Sequence, residues 1–98
     1  SAKKGLAWNL GKIHYEAEDY KEAAALFEEV LGYQLDDDPD RYNTLVWLGH
    51  CYFAIGDNGK ALDCYEKVTI SPHAVDLDKE AAQKALSDLP QPSGKTVH

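Results

Sequence analysis

Histidine and cysteine carry the broadest side-chain chemistry in this chain, and their spacing argues against using it. His14, His50 and His73 are of the type that shuttles protons or ligates zinc, yet no two stand four residues apart on one helical face, and Cys51 lies sideways from His50. Each is expected in a structural or solvent-facing role. Cys51 and Cys64 are too few and too far apart for a zinc site or a disulfide framework. They read as reduced thiols packed between helices, which suits an intracellular protein. Asp36-Asp37-Asp38-Pro39-Asp40 has the charge of a calcium loop but lacks its alternating oxygens, central glycine and distal Glu, so it reads as a solvated acidic turn. Gly94-Lys95-Thr96 looks like the end of a phosphate loop, but Leu89 stands where a glycine is required and no strand precedes it. Glu28-Glu29 lies on an exposed helical face without a pocket. The expectation is a protein with no catalytic residue, no metal and no cofactor: not an enzyme.

The charge balance narrows the partners. Ten Lys plus Arg against seventeen Asp plus Glu give a formal net charge of -7 in 98 residues, which argues against binding nucleic-acid phosphates. No stretch approaches the length of apolar chain that crosses a bilayer, and Ser1-Ala2-Lys3-Lys4 lacks the apolar core of a signal peptide. A soluble, cytoplasmic protein without membrane insertion is expected.

Five helical segments alternate with short breaks. The first spans about 2–17, with Ala7, Leu10, Gly11 and His14 on one face. Asp19 is placed as the N-cap of a second, 20–33, whose buried stripe is Ala23, Leu26, Phe27 and Val30. The third spans 40–55 and opens after Pro39. Gly56-Asp57-Asn58-Gly59 reverses the chain. The fourth, 60–69, buries Ala61, Leu62, Tyr65 and Val68 and stops at Ser71-Pro72. The fifth, 73–89, has Val75, Ala81, Ala82, Ala85 and Leu89 as its apolar side, and Pro90-Gln91-Pro92-Ser93-Gly94 begins a tail, 90–98, expected to be disordered.

These segments repeat. Leu10-Gly11, followed by Ala23 and Phe27, returns thirty-eight residues later as Leu48-Gly49, followed by Ala61 and Tyr65. The second copy, with Leu48-Gly49-His50-Cys51-Tyr52, Ala61-Leu62-Asp63-Cys64-Tyr65 and Pro72, resembles the tetratricopeptide repeat, whose pattern is L-G-x2-Y, A-x3-F and a closing proline. The first matches through Leu10-Gly11, Ala23 to Phe27 and Pro39, with His14 where Tyr is usual. The resemblance implies an all-α fold: two helical hairpins plus a C-terminal capping helix, a fragment of a right-handed α-solenoid. Repeat one covers about 4–39, repeat two about 40–72 and the cap about 73–89. From Phe27 to Pro39 is four residues more than the family spacing, which implies an extra helical turn or a longer acidic loop. Gly11 and Gly49 let the paired helix approach, Ala23 and Ala61 meet them, and Phe27 and Tyr65 fill the space between hairpins.

The resemblance also implies a function. First helices of successive hairpins in this family line a concave groove that receives an extended peptide or partner helix, and the register puts Trp8, Lys12, Tyr15, Val46, His50, Phe53, Lys79 and Gln83 on it. Counting from Pro39 and from Pro72 sets the register of the fifth helix. Trp47 is expected in the core, and for Trp8, Tyr15 and Phe53 groove and core are both open. The chaperone-tail clamp of some family members falls on Trp8, Lys12, Trp47, Asp76 and Glu80, which do not match it. The expectation is a non-enzymatic scaffold binding a protein or peptide partner. The alternative is structural: self-association as a homodimer through the uncovered first hairpin, or service as a piece of a longer array.

Overall fold

The structure, a computed structural model, describes residues 2–89, with side chains from residue 5 onward. Among these residues there are five helices and no strand: α1 (Ala2–Glu16), α2 (Tyr20–Leu31), α3 (Pro39–Ile55), α4 (Asn58–Ile70) and α5 (Asp76–Asp88). Each packs chiefly on its chain neighbours, with a lighter contact between α3 and α5. This is the stacking expected of helical hairpins that bury their apolar faces on one another. The expected tail, 90–98, lies outside the described residues.

The two copies close their first turn alike. Glu18, at φ 65°, and Gly56, thirty-eight residues later at φ 96°, both take the left-handed conformation that ends a helix. The residue that follows differs. Asp57 caps α4, its Oδ1 accepting from the Lys60 amide at 3.1 Å. Asp19, expected to do the same for α2, makes no side-chain cap bond, because its carboxylate lies 3.4 Å from His14 Nδ1 instead.

The extra residues between Phe27 and Pro39 belong to the loop, since α2 ends at Leu31. Arg41 ties this loop down: its Nη1 donates to the carbonyls of Leu31 and Gln34 at 3.1 and 3.0 Å, and its Nε lies 3.5 Å from Asp36 Oδ1. A cation thereby satisfies carbonyls at and beyond the negative end of α2. Asp38 then caps α3 by accepting from the Asp40 amide at 2.9 Å, with Pro39 in the first turn, where a missing N–H costs nothing.

Phe27, Val30, Leu48, Cys51, Tyr65 and Val68 form the deepest part of the core. Neither repeat glycine meets its alanine first: a Cβ on Gly11 would stand 2.8 Å from Phe27 Cε1, and one on Gly49 2.6 Å from Tyr65 Cε1. The missing side chains leave room for aromatic rings of the same hairpin. Leu10 and Leu62, expected to be buried, are each 38% exposed, and Val75 and Ala81 are exposed as well.

On α5 the buried residues are Asp78, Ala82 and, just past its end, Leu89, with Ala85 half-buried. Asp78 and Ala82 lie thirty-three residues after Leu45 and Gly49, which are buried on α3 as well. The prolines used to count register are not equivalent: Pro39 is inside the first turn of α3, whereas Pro72 stands four residues before α5.

Candidate functional site

Helical periodicity places one row of side chains from each of α1, α3 and α5 on a common side, and these rows meet at Trp47 of α3. Tyr15 of α1 stands edge-on to Trp47, ring centroids 5.2 Å apart at 82°. Phe27 stacks on Trp47 at 6.4 Å and 27°, while Trp8 meets Phe27 edge-on at 6.4 Å. The ammonium of Lys12 lies 5.5 Å from the Trp8 centroid and 5.0 Å from that of Trp47. Two electron-rich ring faces hold that cation in place. Trp47 is half-buried against the core and also lines a surface cavity, so the indole serves packing and surface together.

His50 continues the row, 5.9 Å from Trp47 by ring centroid. Its Nδ1 is 2.6 Å from the Tyr65 hydroxyl, which gives a reason for Tyr rather than Phe at that repeat position. Burial pushes the His50 pKa below the usual imidazole value, so the ring is neutral at pH 7 and its Nδ1 accepts from Tyr65. Burial raises Tyr65 as well, and raises Tyr15 with help from neighbouring Tyr20. The phenols stay protonated.

Two cavities open along the row. One, of about 320 Å³, lies between α1, the α2–α3 loop and the start of α3, with Trp8, Asn9, Gln34, Asp40 and Asn43 in its lining. The other, of about 400 Å³, lies between α3 and α5. Its α3 wall is Val46, Trp47 and His50; its α5 wall is Leu77, Glu80, Ala81 and Lys84. The gap is tied by Asn43, whose Nδ2 donates to Asp78 Oδ1 at 3.0 Å.

Trp8, Lys12, Tyr15 and His50 are thus drawn together around Trp47. Val46 lines the second cavity but is only 5% exposed. Phe53 stands 45% exposed near the end of α3, outside both cavities. Lys79 and Gln83 are not in the α5 wall of this cavity, where Glu80 and Lys84 stand. Sequence reasoning missed Leu77, Ala81 and Lys84 for this gap, although a count of thirty-three from Thr44, Leu48 and Cys51, the buried face of α3, reaches all three.

Among the described residues no three His, Cys, Asp or Glu side chains gather closely enough to hold a metal ion. Burial pushes the Cys51 and Cys64 thiols up to about 12, so both are protonated and poor nucleophiles at neutral pH. No helix among the described residues is long and apolar enough to cross a membrane.

Comparison with known proteins agrees with this geometry. The model of the tetratricopeptide repeat family matches residues 5–69, spanning α1 to α4. Neither the curated proteins nor the solved structures contain a match to the chain.

Proposed function

The chain belongs to the tetratricopeptide repeat family, whose members generally mediate protein–protein interactions, and we propose that it is a non-enzymatic cytoplasmic scaffold binding an extended peptide or partner helix along α1, α3 and α5. The observation that supports this is the half-buried cluster of Trp8, Lys12 and Tyr15 around Trp47, continued by the cavity between α3 and α5. Rigid aromatic surface gives a partner contact area at small entropic cost, and hot spots of binding are rich in such residues. Selection of peptides from a random library, followed by titration of the recovered peptide, tests the reading. Tyr15→Ala and Lys12→Ala are each expected to weaken binding by about tenfold or more while the far-ultraviolet spectrum stays unchanged. Unchanged affinity in both variants would sink the groove.

One observation favours the structural alternative. Leu6, Leu10 and Ile13 of α1 are 61%, 38% and 59% exposed, whereas Thr44, Leu48 and Cys51, thirty-eight residues later on α3, are 0%, 2% and 0% exposed. The face that α3 buries inside the stack is open on α1. A second copy of the chain is the occupant this reading assigns to it. Sedimentation velocity of the protein and of its Leu6→Glu/Ile13→Glu variant decides, since a concentration-dependent dimer lost in the variant supports this reading and a monomer at every concentration refutes it.

A further inference from the structure

The cavity at the N-terminal ends of α1 and α3 holds a feature that packing does not explain. Gln34 lines it, is only 7% exposed, and its Oε1 is buried without a hydrogen-bond partner. Buried acceptors are nearly always satisfied, so such an atom on a side chain that lines an open cavity points to a donor supplied from outside. Gln34 is also held in place. Its backbone amide donates to the Leu31 carbonyl at 3.1 Å, and its own carbonyl accepts from Arg41 at 3.0 Å.

The rest of the lining says what kind of donor. Asp40 is the one charged group among the described lining residues, and it is negative. Asn43 spends its amide nitrogen on Asp78, which leaves its side-chain oxygen to offer. Asn9 supplies a second carboxamide and Trp8 an indole. Lys12 stands between the Trp8 and Trp47 rings and is not part of this lining. A carboxylate, carboxamide oxygens and an aromatic ring suit a group that is planar, cationic, rich in N–H donors and free of acceptors. That description fits a guanidinium better than a compact ammonium, and an anion would meet Asp40. The net charge of -7 steers a cationic group toward the protein.

We propose that this cavity receives an arginine side chain of the bound partner, with Gln34 Oε1 and the Asp40 carboxylate as acceptors and Trp8 as the wall. The partner's remaining path rests on the groove reading above; the arginine site does not need it to be tested. The ¹⁵N-labelled protein is titrated with N-acetyl-arginine methylamide and with its neutral isostere, N-acetyl-citrulline methylamide. Arginine is expected to shift the Trp8 indole and Gln34 side-chain amide signals saturably, at about millimolar concentration, with citrulline at least about fivefold weaker. Asp40→Asn should erase that preference, and Gln34→Leu, which keeps the bulk but removes the acceptor, should weaken arginine by a similar factor. Equal shifts from both ligands overturn the proposal, as do shifts confined to other acidic surfaces or an arginine preference that survives Asp40→Asn. Should library peptides need Tyr15 but show no arginine preference and no response to Asp40→Asn, the groove stands and this site falls. Arginine binding here without any peptide response to Tyr15→Ala means that the site stands and the groove falls.

Discussion

Tyr65 closes over Gly49 with its ring and reaches His50 with its hydroxyl, so one residue links hairpin packing to the groove. Its position makes both neighbours sensitive to change. A methyl group on Gly49 would come within 2.6 Å of a ring carbon of a residue that is 1% exposed and held by a hydrogen bond, so the ring must move. Gly49→Ala gains about 1 kcal/mol of helix propensity, yet the overpacking should outweigh it and leave a net loss of about 1–3 kcal/mol in urea unfolding. His50 sets a pH dependence. Its folded pKa lies below the ordinary 6.5, so as pH falls the unfolded chain takes up the proton first. The stability held by neutral His50 is complete above the unfolded value and is lost as pH falls through the folded one. Urea unfolding at about pH 7.5 and about pH 5.5 should show a smaller acid-induced loss in His50→Gln than in the parent, the other titrating groups being common to both.

The helices are more legible in the sequence than their exact relation. Five segments and the repeated Leu-Gly, Ala and aromatic positions can be read from apolar spacing, because all of those residues except Leu10 are buried for reasons local to one hairpin. Which residues of α5 line the gap with α3 cannot be read from the groove positions, because the gap is walled by Leu77, Glu80, Ala81 and Lys84 and not by Lys79 and Gln83. Asp19 misleads for a separate reason: an aspartate before a helix promises a cap, but His14 one turn back competes for the carboxylate. Gln34 gives no signal at all. Its burial follows from how Arg41 folds the loop, a contact seven residues away that periodicity does not encode. The α5 element carries its own prediction. Ending the chain at Pro72 removes the packing of α5 on α4 and with it the burial of Ala82 and Leu89. At about 1.5–3 kcal/mol for a leucine-sized side chain, plus the smaller contributions of Ala82 and half-buried Leu86, the loss should be about 3 kcal/mol, read as a lower urea midpoint by circular dichroism.

At the scale of the whole molecule, stability is shared chiefly between helices adjacent in the chain, so the two ends of the stack decide what the surface can do. They are unlike. The outward row of α1 is apolar through Leu6, Leu10 and Ile13, whereas α5, apart from the residues that line its gap with α3, shows solvent Asp76, Gln83 and Asp88. Joining the front of one copy to the back of another would set that apolar row against charges, with nothing to repeat the burial that α3 finds on α2. Any pairing through α1 is then front to front about a two-fold axis, and such a contact is used up once made. The largest species in sedimentation should be a dimer, with no ladder of higher forms as concentration rises. The exposed row on α1 thus carries its own brake on polymerisation: it can close a pair and cannot seed a fibre.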